Sequence, residues 1–229
     1  MHKNIQLLER ATSNTVRVLD PQIPISQYSA VDLSVAKVNG KTFDTAWPIA
    51  WQAYLDDVLK QMNATVAYGG YLEKRSLYDH SPHFMRGSEQ EKRNIHLGID
   101  LWHQAGTSVH AVLDGVIHSY KDNAQVADYG PTIILQHSID AMTFYTLYGH
   151  LSVASLQNKQ VGERVKQGQE IARLGTPAVN GNYAPHLHFQ IIMDMEDYYG
   201  DYPGASSNQH LDYYQANCPD PNLLLKLDN

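Results

Sequence analysis

In the stretch Met142-Thr143-Phe144-Tyr145-Thr146-Leu147-Tyr148-Gly149-His150-Leu151, rich in aromatic and β-branched residues, one face of an extended chain would carry Met142, Phe144 and Tyr148, and the run alternates well enough for a strand. That is the pattern of a β-strand. Residues 132–137 alternate in the same way, and residues 138–141 between them suit a turn, so the two runs are expected to form an antiparallel hairpin. Phe144, Thr146, Tyr148 and His150 share parity, which places His150 at the end of one inward face.

Working outward, the flanking sequence continues as strand. Residues 109–117 are apolar but interrupted by the turn signal Asp114-Gly115. Residues 161–175, punctuated by Gly162, Gly168 and Gly175, read as two short strands around a turn, and residues 186–193 complete the sheet. The expected fold is mainly β, an antiparallel sheet or sandwich. Residues 1–64 read as an N-terminal extension with short strands at 15–19 and 28–35, on either side of a loop at Pro21 and Pro24. One helix is expected over 46–62, where Trp51, Tyr54, Leu55, Val58, Leu59 and Met62 recur at helical spacing and Pro48 sits in the first turn. Its apolar stripe is expected to pack on a domain of residues 65–229. The mixed-charge stretch 74–93 reads as a solvated loop, with a wall or lid over the cleft as the alternative. Pro221-Asn222-Leu223-Leu224-Leu225 is expected to seal the core edge.

Three histidine motifs stand out on this scaffold: His96-Leu97-Gly98-Ile99-Asp100, Tyr148-Gly149-His150-Leu151 and His186-Leu187-His188-Phe189. On a strand His186 and His188 share a face and point into one cleft. His96 and Asp100 on a fully extended strand would stand roughly 13 Å apart, too far for one metal ion. A bend is therefore expected between them, at Gly98. Histidine nitrogens with a carboxylate oxygen suit zinc better than magnesium or calcium, and iron held by two histidines and one carboxylate is the other metal reading. His2, His80, His83, His103, His110, His118, His137 and His210 are read as surface or packed residues.

These motifs, in this order, resemble the lysostaphin-like, or LytM-type, zinc metalloendopeptidases that cleave peptide cross-links in bacterial peptidoglycan. The resemblance spans about residues 65–200. It implies a β-fold of the duplicated hybrid motif, or lipoyl-like, type, with His96, Asp100 and His188 as zinc ligands. It also implies that His150 and His186 flank the attacking water and the scissile carbonyl. The segment Gly162-Glu163-Arg164-Val165-Lys166-Gln167-Gly168-Gln169 resembles lipoyl and biotinyl carrier domains, in keeping with that fold. Two departures are visible: Gln190, where the family often has glutamate, and Asn180-Gly181-Asn182-Tyr183-Ala184-Pro185, where small Ser, Thr and Gly are commoner. Neither removes a ligand. The expected activity is hydrolysis of peptide bonds in peptidoglycan cross-links or wall-derived peptides. The alternatives are a non-catalytic peptide- or envelope-binding module on the same fold, a carrier or phosphotransfer domain, and an intracellular peptidase or amidase with another substrate. No glutamate follows a His-Glu-any-any-His pattern, so proton transfer falls to His150 or His186, imidazoles that titrate near neutrality.

Composition sets the remaining bounds. A net charge of −7 argues against nucleic acid as a partner. No apolar run approaches the length of a membrane span. The lone cysteine, Cys218, excludes an internal disulfide and sits in a tail expected to be packed. Residues 1–10 lack the apolar core of a signal peptide, so a cytoplasmic location is the expectation unless a targeting segment has been removed. A monomer is the default.

Overall fold

The structure is a computed structural model describing residues 2–33, 37–38, 41–42, 48–75, 88 and 91–227 of the 229-residue chain. The chain opens with α1 (His2–Ala11), β1 (Tyr28–Ala30), β2 (Lys37–Val38), β3 (Lys41–Thr42), α2 (Pro48–Met62) and β4 (Val66–Gly69). Next come β5 (Ile95–His96), β6 (Ile99–Trp102), β7 (Ser108–His110), β8 (Gly115–Asn123), β9 (Gly130–Ile139) and β10 (Met142–Gly149). Last are β11 (Arg164–Val165), β12 (Glu170–Arg173), β13 (His186–Ile192), β14 (Ala205–Ser206), α3 (Leu211–Asn217) and α4 (Asn222–Leu225).

The fold is mostly β. An eight-stranded sheet runs in the order β1-β4-β6-β13-β10-β9-β8-β11. All its described pairings are antiparallel except β1 with β4. The hairpin expected from sequence is β9–β10, turning at Asp140, whose φ is +51°. Alternation sorts side chains onto the two faces of this sheet. Leu101, Leu187, Phe189, Phe144 and Tyr148 enter the main core, beneath the small sheet of β7 and β12 that carries Val109 and Ile171. Leu147 and Ile192 lie on the opposite face, in a second cluster with Tyr202 and Cys218.

Several details differ from the sequence reading. Residues 15–19 do not form a strand: Leu19 makes one isolated bridge to Val109, because Pro21 ends the run before a ladder can grow. Of residues 28–35, 28–30 are β1 and 34–35 lie outside the described residues. The helix expected over 46–62 is α2, with positions 46 and 47 outside the described residues. So is most of the loop expected over 74–93. Three helices were not anticipated: α1, α3 and α4. The buried leucines of α4 carry the core-sealing role expected of residues 221–225, with Leu224 and Leu225 fully enclosed. Among the described residues no helix is long and apolar enough to cross a membrane.

Candidate metal centre

The register of four adjacent strands places Gly69, Asp100, His188 and Gly149 in one row across the sheet. Asp100 and His188 face each other at its centre, on the side away from the main core, and a glycine at each end keeps the row clear. His96 arrives from β5. The chain leaves β5 at Leu97, passes Gly98 and re-enters as β6, so His96 and Asp100 meet although they are four residues apart. His96 Nε2, Asp100 Oδ1 and His188 Nδ1 then stand 2.9, 3.1 and 3.3 Å from one another. Donors held at about 2.1 Å by a tetrahedral ion are separated by roughly 3.4 Å, so this trio fits three corners of a zinc site. Among the described residues these three alone form such a group.

Each of the three is oriented from behind. His96 Nδ1 lies 3.0 Å from the Gly70 carbonyl and donates to it, leaving Nε2 as the donor atom. His188 Nε2 lies 2.8 Å from Gln190 Oε1, which leaves Nδ1 for the same purpose. The Gln190 amide is itself fixed, since its Nε2 donates to the Pro203 carbonyl and the Cys218 sulfur. Arg75 donates from its Nη1 to Asp100 Oδ2 at 2.5 Å.

Electrostatics matches this arrangement. Burial, and then Arg75, push His96 down to about 3, so the ring is neutral near pH 7, as a ligand must be. Burial opposes the charge on Asp100, but His96 and Arg75 overcome it and hold the carboxyl well below its usual range. With His96 neutral, Arg75 is the lasting positive partner.

His150 and His186 join the same cleft. His186 Nδ1 donates to the Ala184 carbonyl and His150 Nδ1 to the Asn180 carbonyl, which turns both Nε2 atoms toward the cleft. The rings lie 4.1 Å apart, and His186 Nε2 is 3.9 Å from Asp100 Oδ1. Burial, the largest cause in each, lowers the pKa of both. Trp102 stacks on His186 at 5.7 Å and Tyr183 meets His150 edge-on at 5.2 Å, so neither ring turns freely.

The expected route of His150 to the site needs correction. Phe144 and Tyr148, which share its parity, point into the main core, on the other face of the sheet from His188. β10 ends at Gly149, and His150 takes a left-handed conformation with φ +62°, its N–H donating to the Tyr129 carbonyl. That turn moves its side chain to the His188 side of the sheet. The cleft as a whole has a volume of about 240 Å3, and Leu33, Trp51, Tyr129 and Tyr198 are among the residues that line it. Leu33, Trp51, Tyr129 and Arg75 were not found from sequence. Aromatic and arginine residues carry no spacing that ties them to distant ligands.

Residues 94–199 match peptidase family M23. The chain is 36% identical over 100 residues to the peptidoglycan DD-endopeptidase ShyC of Vibrio cholerae, an alignment covering 43% of the chain and 20% of ShyC. It is 30% identical over 101 residues to a metalloprotease of Buchnera aphidicola, covering 44% of the chain and 24% of the relative. The chain thus spans about a quarter or less of the length of these relatives. Among solved structures it resembles the catalytic domain of lysostaphin from Staphylococcus simulans, at 27% identity and TM-score 0.38, covering 53% of this chain and 80% of that one. A zinc-containing peptidase from Vibrio cholerae matches at 26% identity and TM-score 0.38, covering 54% of this chain and 32% of that one.

Proposed function

We propose that this chain, which carries a domain of peptidase family M23 over residues 94–199, is a zinc metalloendopeptidase that hydrolyses peptide bonds in peptidoglycan cross-links or wall-derived peptides. One observation carries the reading: three buried donor atoms 2.9–3.3 Å apart, each on a side chain oriented from behind, with two further imidazoles facing the same point. A binding module needs no such convergence. A carrier or phosphotransfer domain would leave His96 and Asp100 without a role.

In this reading His96, Asp100 and His188 hold zinc, which when bound supplies a Lewis acid that activates water and polarises a carbonyl. The chain's own groups do the rest. His150 and His186 present unprotonated Nε2 atoms to the cleft, and between them they take the proton of the attacking water and return it to the leaving amine. The carbonyls of Asn180 and Ala184 fix the tautomer of each ring and stabilise its protonated form when it appears. Trp102, Tyr183 and Tyr129 pack around the imidazoles and exclude bulk water, which strengthens every polar contact inside.

Elemental analysis of the purified protein beside His188→Ala tests the proposal, followed by incubation of the wild type with cross-linked wall peptides. About one zinc per chain, absent from the variant, together with release of cleaved peptide, is the expected result. A wild type that takes up no metal when zinc is supplied would overturn it and leave the binding module.

A further inference from the structure

The family match begins at residue 94, yet two of the three candidate ligands are braced by residues upstream of it. Residues 72–75 run antiparallel to 94–96 through backbone bonds from Leu72 N–H to the His96 carbonyl, His96 N–H to the Glu73 carbonyl and Arg75 N–H to the Asn94 carbonyl. This short ladder carries Arg75 and the Gly70 carbonyl to the back of the centre. Gly70 has φ +106°, and a Cβ there would stand 3.0 Å from His96 Nδ1 and collide with the Arg75 guanidinium. The backbone is thus shaped around both groups.

Arg75 is nearly wholly enclosed and reaches in three directions. Its Nη1 donates to Asp100 Oδ2, its Nε donates to Glu73 Oε2 at 2.6 Å, and the guanidinium carbon lies 5.7 Å over the Trp102 ring. Glu73 Oε1 in turn accepts the backbone N–H of Leu33, which lines the cleft. Asp100 Oδ2 is therefore occupied, and Oδ1 alone faces the histidine nitrogens.

We propose that Arg75, held by Glu73, is a positioning residue of the metal centre: by occupying Oδ2 it restricts Asp100 to ligation through one oxygen and so sets metal affinity and coordination number. This rests on the metal-centre reading above. A rival role can be separated by sign. If Arg75 acted only as a nearby positive charge repelling the cation, neutralising it would tighten metal binding. If it positions Asp100, neutralising it frees the second oxygen, loosens the geometry and weakens binding. Outer-shell partners of metal ligands are typically worth 10- to 100-fold in affinity.

The test uses the full chain with Arg75→Met and Glu73→Gln, measuring zinc affinity by competition with a chromophoric chelator and the visible spectrum after cobalt(II) substitution. Arg75→Met is expected to bind zinc about 10- to 100-fold more weakly, with a cobalt band weakened as coordination rises above four. Glu73→Gln is expected to lose less, in the same direction, and it decides the matter if Arg75→Met does not fold. Wild-type or tighter affinity with an unchanged cobalt spectrum in the folded variant would overturn the proposal. His188→Ala run alongside separates the failures: if it keeps its metal, the ligand assignment itself is wrong; if it loses metal while the Arg75 and Glu73 variants behave as wild type, only the outer-shell role falls.

Discussion

A Cβ built on Gly98 would stand 2.6 Å from His188 Cε1 and 2.8 Å from the Phe189 carbonyl oxygen. The glycine was expected from sequence as a bend; it serves equally as the gap into which the His188 ring fits. Gly98→Ala should push His188 off Gln190 and lower zinc affinity at least about tenfold, the low end for lost outer-shell support. Chelator competition measures it, and a variant with wild-type affinity would refute the close-fit account. His150 lies outside the trio, so His150→Ala should retain zinc while turnover of a cross-linked peptide falls about 10²–10⁴-fold, the usual reach of proton-transfer catalysis. Equal rates would remove it from the mechanism. The structure brings the five histidine and aspartate positions of the candidate site into one cleft, a grouping legible because their residue types and spacing stand out in the sequence. Arg75 was not, since nothing in a mixed-charge stretch marks one arginine as facing a carboxylate 25 residues downstream.

Among elements, β9 and β10 were legible because two strand-length runs rich in aliphatic, aromatic and β-branched residues flank a turn, whereas α1 was not, being short and stabilised from outside. Thr12 Oγ1 donates to the Leu224 carbonyl, Val16 N–H donates to the Leu225 carbonyl, and Leu8 of α1 is fully buried in the main core. Leu8→Ala should cost about 2–5 kcal/mol in urea unfolding; a loss under 1 kcal/mol would mean that α1 packs loosely. The hairpin also carries a pH dependence. His137 on β9 donates from Nδ1 to the Asp114 carbonyl and meets Thr146 Oγ1 of β10 at 2.7 Å. Burial lowers its pKa from 6.5 to about 4. Between those values the unfolded chain takes up a proton that the folded one refuses. Its contribution is therefore complete above pH 6.5 and lost as pH falls toward 4, by roughly 3 kcal/mol. Urea titrations at pH 7 and 4.5 should give a smaller stability difference for His137→Gln than for wild type, and parallel losses would exclude this histidine as a source.

At the scale of the whole molecule, strand order was the least legible feature. β13 lies between β6 and β10 although some forty to ninety residues separate them in the chain, and local patterning cannot encode such pairings. That non-local assembly has a thermodynamic consequence. The candidate ligands come from β5, β6 and β13, and their outer partners from Gly70, Arg75 and Gln190. An unfolded chain brings none of these together, so metal should bind the native state almost alone. Free zinc at about 100 times its dissociation constant would then raise unfolding free energy by roughly 2.7 kcal/mol. Urea unfolding with buffered zinc and with chelator should differ by that amount in wild type and not at all in His188→Ala. Because the candidate ligand set ties adjacent strands β6 and β13 of the large sheet to β5 of a small one, the shift should appear in a single cooperative transition. A zinc effect confined to a separate, earlier transition would show that the centre unfolds independently of the sheet.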